Sequence, residues 1–273
     1  MRMLFLVNEA TSFSITARGI FFVIAFLFLL FSFLGWGLEV LFRRFFSAKR
    51  WINPGFLKGP CLPIYGTGVV CMYILVALLK NTSPSVLPSW ALDIFIILGI
   101  GILMTLIELI AGIIFIEGMH IRLWDYSSRP GNYKGIICPL FSLIWTLVGA
   151  GFYYLLYNPI TDMIFNFLIL DWFDLAIFIM GLFYGILIID FCISMNINVK
   201  IKKFASDHQI IIHLEDLKAS ISKRLSKEKL KAKFLSPLRS PHGLEEHMEE
   251  YYEDKKGKET FHLFKRKRKE DQK

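Results

Sequence analysis

The chain has 273 residues, 55% of them hydrophobic and 26 of them Phe, with a formal net charge of +8 and a mean hydropathy of +0.50. So apolar a composition lacks the charged shell of a soluble domain and points to an integral membrane protein. Cys61, Cys71, Cys138 and Cys192 stand singly, with no Cys-x-x-Cys and no His at ligand spacing, so neither a disulfide framework nor a metal site is expected.

Five stretches reach the roughly 20 mostly apolar residues that cross a bilayer as a helix: about 19–42, 62–80, 92–117, 136–157 and 172–195. The expected fold is therefore an all-α membrane bundle of about five spans. The first span ends in a tryptophan, a glutamate and two arginines with no cleavage pattern, so it is expected to stay in the mature chain. Arg43, Arg44, Lys49, Arg50 and Lys58 follow span one, and Arg122, Arg129 and Lys134 follow span three, which marks both segments as cytoplasmic. The segments 81–91 and 158–171 carry no Lys or Arg and face outward. Residues 1–18 then lie outside, 19–199 form the bundle, and the tail is cytoplasmic.

In chain order, span one carries Glu39 with Arg43 four residues on, the spacing that puts both on one helix face. It leads into PGFLKGPCLP, residues 54–63, which returns as PGNYKGIICP at 130–139; both read Pro-Gly-x-x-Lys-Gly-x-x-x-Pro. Pro63 and Pro139 fall where a first helical turn begins, a position that loses nothing by lacking an amide hydrogen. With Lys58, Arg50, Lys134 and Arg129 near these helix starts, each entrance could hold an anion, or its Pro and Gly could merely punctuate a loop at the membrane surface. Each copy also follows a span with a glutamate, Glu39 or Glu108, which suggests an internal duplication that needs a gap to align.

Glu108 lies in GIGILMTLIELIAG, well inside its span, where an ionisable group is costly and is read first as functional. Gly101, Thr105, Glu108 and Gly112 share one face, the small and polar stripe that admits a neighbouring helix. WDYS, 124–127, places Trp124, Asp125 and Tyr126 at the membrane surface beside Arg129, with Asp125 the better candidate for a site. In span five, Asp190 with Ser194 one turn later adds a third carboxylate, and Gly181 and Gly185 form a G-x-x-x-G. The expectation is that Glu39, Glu108 and Asp190 line one cytosol-facing pocket. No G-x-x-x-x-G-K-[ST] loop occurs, so ATP-driven work would need a separate subunit.

The motifs SFLGWGLEV (32–40), NPGFLKGPCLPIYGTG (53–68), the Glu of TLIEL (105–109) and WDYSSRPGNYKGIICPLFSLIW (124–145) resemble the ABC-transporter type IV permease family of Gram-positive bacteria, from about residue 28 to 150. The matching positions include Trp36, Glu39, Asn53, Gly55, Gly59, Pro60, Pro63, Tyr65, Gly66, Glu108, Asp125, Tyr126, Asn132 and Gly135. Pro54 stands where the family usually has an arginine. The resemblance implies a permease in a bacterial plasma membrane, without an assigned substrate. Binding candidates are Glu39, Arg43, Asn53, Lys58, Tyr65, Glu108, Asp125, Tyr126, Asn132, Lys134 and Asp190; Gly55, Gly59, Pro60, Pro63, Gly66 and Gly135 are structural or hinge positions. No cofactor is expected.

The tail from residue 200 holds 20 Lys plus Arg against 13 Asp plus Glu. Ile210, Leu214, Leu217, Ile221 and Leu225 recur at helical spacing, so 200–235 predicts a basic amphipathic helix that lies on an anionic leaflet or packs on the protein's own loops. Residues 236–273 are expected to be unstructured, with anionic lipid a better partner for KRKRK than nucleic acid. The first reading is a transporter component, with a separate ATPase subunit or a second copy as possible partner. The alternatives are a membrane-embedded enzyme on a lipid or lipid-linked phosphate substrate, using Glu108 or Asp125 as base, and a non-catalytic scaffold.

Overall fold

A computed structural model of the chain describes residues 2–46, 49–82, 88–168, 173–227, 238 and 243–270. Its elements are α1 (Arg2–Phe45), α2 (Pro63–Thr82), α3 (Ser89–Met119), the two-residue strand β1 (Ile121–Arg122), α4 (Pro139–Gly151), a π-helical stretch (Phe152–Leu156), α5 (Tyr157–Leu168), α6 (Phe173–Asp207), β2 (Ile212–His213), α7 (Leu214–Lys227) and α8 (Leu244–Glu270). Five segments are long and apolar enough to cross a membrane: Gly19–Phe45, Pro63–Lys80, Ser89–Met119, Pro139–Asp162 and Asp174–Asp207. They coincide with the five expected spans, and the protein is a helical membrane protein.

The fourth span is α4, the π stretch and the start of α5. Pro159 explains the wide turn. Its ring crowds the carbonyl one turn back and its nitrogen cannot donate, so the helix loosens just before it. Consequently the segment expected as an outer loop from 158 is helical as far as Leu168.

α1 and α2 approach closely because a Cβ at Gly66 would fall 2.1 Å from Ser32 Oγ and 2.3 Å from the Phe28 carbonyl. α3 meets α4 in the same way, since a Cβ at Gly101 would sit 2.1 Å from Thr146 Oγ1. Between them lies an apolar core with Leu27, Val76, Ile96 and Ile100 fully buried. The stripe of Gly101, Thr105, Glu108 and Gly112 therefore faces protein, as its composition predicts, and Thr105 turns its hydroxyl back onto the Gly101 carbonyl at 2.8 Å.

α6 is longer than a bilayer needs. The 34 residues of Asp174–Asp207 make roughly 51 Å of helix against a hydrocarbon core of roughly 30 Å. Its last turns enter a second cluster, in which Ile201, Phe204 and Ala205 pack with Ile121, Ile212, Leu214, Leu217, Ile221, Leu225, Met248 and Tyr251. β1 and β2 pair in parallel, Ile121 beside Ile212 and Arg122 beside His213. The tail is thus docked under the bundle. Of the expected helix over 200–235, α7 begins at Leu214, after Ile210, and its Leu214, Leu217, Ile221 and Leu225 pack into this cluster; residues 228–235 lie outside the described residues. In the segment expected to be unstructured, α8 forms at Leu244–Glu270 and buries Met248 and Tyr251.

Candidate functional site

The site lies at the end of the bundle where α1 and α3 finish and α2 and α4 begin, called here the entrance end. Glu39, in the last turns of α1, accepts from Arg43 Nε at 3.0 Å and from the Tyr65 hydroxyl at 2.7 Å. The Arg43 guanidinium also forms an ion pair with Glu215 of α7. The helical spacing of Glu39 and Arg43 foretold their pairing. Tyr65 and Glu215 are the partners that only the fold supplies.

Tyr65 carries this chain to Glu108. Its ring packs edge-on to Trp145 with centroids 6.1 Å apart, and Ile64, Tyr65, Met104, Ile107, Glu108 and Trp145 line a partly open cavity of about 10 Å³, the size of a single water site. Glu108 is 5% exposed. Its Oε1 accepts from the Tyr126 hydroxyl at 2.9 Å, whereas Oε2 and the nearby Trp145 indole N–H are buried and form no hydrogen bond of normal geometry among the described residues. Burial and the neighbouring Glu108 carboxylate push the Tyr126 phenol far up, so it remains a donor to that carboxylate.

Glu108 is covered by protein. Tyr65 is in the first turn of α2 and Trp145 in the second turn of α4, so α3 runs past those helix starts by about eleven residues, roughly 16 Å. The loop 123–138 folds back along this overhang. Tyr126 stacks on Phe141 with centroids 4.3 Å apart, and a Cβ at Gly112 would meet Ile136 at 2.2 Å.

Asp190 is not part of this cavity. Its carboxylate accepts from Gly59 N–H at 2.9 Å, from Lys58 N–H at 3.3 Å and from the Ser194 hydroxyl at 3.3 Å, so it fastens the first entrance to α6. The three carboxylates expected in one pocket divide, Glu39 and Glu108 around Tyr65 and Asp190 apart. One turn beyond Ser194, Asn198 is buried with both amide atoms unpaired among the described residues.

The remaining candidates shape the two entrances. Asn53, 1% exposed, accepts from Trp36 Nε1 at 2.7 Å and donates to the Leu57 and Lys58 carbonyls at 3.2 and 2.9 Å. Gly55 has φ of +72° and a carbonyl that accepts from Lys218 Nζ of α7 at 2.7 Å, while the Asn53 carbonyl accepts from the same ammonium at 2.9 Å. Burial first, and the nearby Arg43 charge second, pull the Lys218 amine down to about 7. Pro60 leads into Cys61 and Leu62, whose N–H donates to the Ser32 carbonyl at 2.9 Å, and Pro63 opens α2 as its position predicts.

In the second entrance, Asn132 donates to the Ser127 and Arg129 carbonyls at 3.1 and 2.7 Å and accepts from Gly135 N–H at 3.0 Å. Asp125 accepts from Ser127 N–H at 2.9 Å and Arg122 Nη1 at 3.1 Å. Although partial burial works against it, these partners hold its carboxyl below the usual carboxylate range. Asp125 is thereby a loop-shaping residue. Lys134 pairs with Glu117 at 3.1 Å on the exposed surface.

Sequence reasoning missed Trp145, Glu215 and Lys218. A tryptophan in an apolar run and charges in a basic tail carry no local mark of the contacts they make. Among the described residues no group of three His, Cys, Asp or Glu could hold a metal ion.

No curated protein and no solved structure matches the chain. Residues 26–195 match the family described as Putative ABC-transporter type IV, a stretch that takes in all five spans' polar residues from Glu39 to Asp190 and Ser194. The chain belongs to the ABC-transporter type IV family.

Proposed function

We propose that this protein is a permease-type component of a transporter, with the entrance end in the cytosol, and that Glu108 holds a proton or small monovalent cation there. The observation that carries the reading is the Glu108 carboxylate, nearly fully buried, with Oε2 on the wall of a cavity beside the Trp145 indole and without a hydrogen bond of normal geometry. Burying an ionised group without a partner is expensive, so such an oxygen is kept as a place for a proton or a cation. Tyr126 positions the carboxylate by donating to its other oxygen. Glu39, held by Arg43 and Tyr65, supplies the second negative charge of the cluster.

A water-sized cavity admits no organic substrate, so larger cargo requires the entrances to move. The basic residues clustered at the entrance end set the cytosolic orientation through the positive-inside bias. An ATPase subunit would supply energy, since the chain carries no phosphate-binding loop of its own. The alternative enzyme reading has less support, because Asp125, its candidate base, is engaged by Arg122 and Ser127.

Thermal-shift measurements on the purified chain and on Glu108→Gln test the proposal. A cation that stabilises the wild type by mass action and leaves Glu108→Gln unmoved supports it. A variant that melts like the wild type and responds equally to every cation rejects it.

A further inference from the structure

The opposite end of the same helices carries a second cluster that the entrance-end site does not use. Tyr153 in the π stretch and Tyr157 one turn later are 6% and 9% exposed. The ammonium of Lys80, an exposed residue near the end of α2, lies 4.9 and 4.8 Å from their ring centroids, within the roughly 6 Å at which an aromatic face attracts a cation. Tyr73 adds a third ring, its centroid 5.4 Å from that of Tyr157. Beside them Asp93 of α3 accepts from the Tyr153 hydroxyl at 2.6 Å and the Tyr154 hydroxyl at 3.4 Å, and among the described residues it forms no ion pair.

We propose that Tyr153, Tyr157, Tyr73 and Asp93 form a binding site for an organic ammonium group, occupied in this structure by the chain's own Lys80. The rings offer their negative faces, and Asp93 offers a carboxylate with which Lys80 makes no ion pair. A compact ammonium set between rings and carboxylate meets both, which the tethered lysine does not. Lys80 sits on a flexible four-carbon stem at an exposed position, so its head can leave without moving α2. Asp162 and Asp174, exposed at the same end of the bundle, add negative potential that favours cations.

Between this cage and the Glu108 cavity, the α3 face presents Ile96, Ile100 and Met104, all buried. Two carboxylate-and-tyrosine stations on one helix are therefore separated by an apolar plug. The inference extends the transporter reading to a second station and a cargo class, protonated amines or quaternary ammonium ions, but it does not depend on Glu108.

The test uses the purified full chain as wild type and Lys80→Ala, with tetramethylammonium chloride as probe against equal sodium chloride. Removing the competing lysine is expected to tighten tetramethylammonium binding about tenfold, the scale of a desolvated cation on aromatic faces, read as a melting shift at lower probe concentration. Adding Glu108→Gln to Lys80→Ala is expected to leave that shift intact, so that failure of the entrance-end proposal and failure of this one are told apart. Adding Tyr157→Leu is expected to abolish the shift. If that variant does not fold, Asp93→Asn in the Lys80→Ala background is expected to weaken binding about tenfold. No tetramethylammonium-specific shift in Lys80→Ala, or a shift indifferent to Tyr157→Leu or to Asp93→Asn, overturns the proposal and leaves Lys80 as a surface cation resting on two rings.

Discussion

The two loops that share Pro-Gly-x-x-Lys-Gly-x-x-x-Pro begin alike and are closed by different partners. Gly55 and Gly131 both take φ near +70°, at +72° and +68°, so the first half of each turn is the same. Three residues later the copies part, because Lys134 and Gly135 take φ of +52° and +69° while Lys58 and Gly59 do not turn left-handed and Gly59 points its N–H at Asp190 of α6. Loop 130–139 is tied to near neighbours in the chain, through Asn132, Arg122, Trp124 and Tyr126. Loop 54–63 is tied to α6 and to Lys218 of α7. One sequence pattern thus yields a self-contained frame and a coupled loop. The coupled one adjoins the route from Glu215 through Arg43, Glu39 and Tyr65 to the Glu108 cavity.

The contrast breaks most visibly at the two asparagines. The side-chain hydrogen bonds of Asn53 are buried or part-buried and those of Asn132 mostly exposed. Asn53→Ala is expected to cost about 3 kcal/mol, because buried partners are left unpaired, and Asn132→Ala about 1 kcal/mol or less, because water replaces its bonds. Denaturant titration of both variants measures the difference. Equal costs would mean that the first entrance is no more enclosed than the second.

Lys218→Met should cost about 2 kcal/mol by stranding the Asn53 and Gly55 carbonyls, seen as faster hydrogen exchange over residues 52–58. The same lysine gives a pH signature. Its folded pKa lies near 7, below the ordinary lysine value of about 10.4, so between these limits the unfolded or undocked tail binds the extra proton. Docking is therefore strongest above the undocked value, weakens as pH falls towards 7, and is flat below it, with a slope of at most about 1.4 kcal/mol per pH unit. A neutral amine still has two N–H groups for the two carbonyls. Exchange protection that does not rise between pH 7 and 9 in the wild type, or that rises equally in Lys218→Met, contradicts this coupling.

The smallest expected effect separates the paired glycines. Gly135→Ala puts a Cβ at positive φ, 2.5 Å from Arg122 Nη1, and should cost about 1–2 kcal/mol. Gly59→Ala meets only the Asp190 carboxylate at 3.1 Å and should cost less than about 1 kcal/mol. Melting temperatures that rank them in reverse would show that the coupled loop tolerates less adjustment than the frame.

Much of the membrane part was legible because its signals are local. Hydropathy placed the spans, the four-residue step joined Glu39 to Arg43, and the prolines marked the starts of α2 and α4. The stripe through Glu108 read correctly as a face turned towards protein. What escaped the sequence depends on distant contacts. Asp190 looks like any intramembrane carboxylate until Gly59 and Lys58 are seen donating to it. The depth of Glu108 along α3 was readable, but the overhang of α3 beyond α2 and α4, roofed by loop 123–138, was not. The helix of the charged tail escaped as well, since Met248 and Tyr251 are too sparse to form a periodic pattern and gain their burial from α6 and α7.

The central claim is that Glu108 holds a cation or proton in its cavity, and the direct measurement is the melting temperature of wild type and Glu108→Gln across sodium, potassium, ammonium and pH. The account predicts that at least one of these stabilises the wild type and that Glu108→Gln, still folded, loses that response. The same response in both proteins, or none in either, would contradict it and leave the buried carboxylate as a residue that only pairs helices.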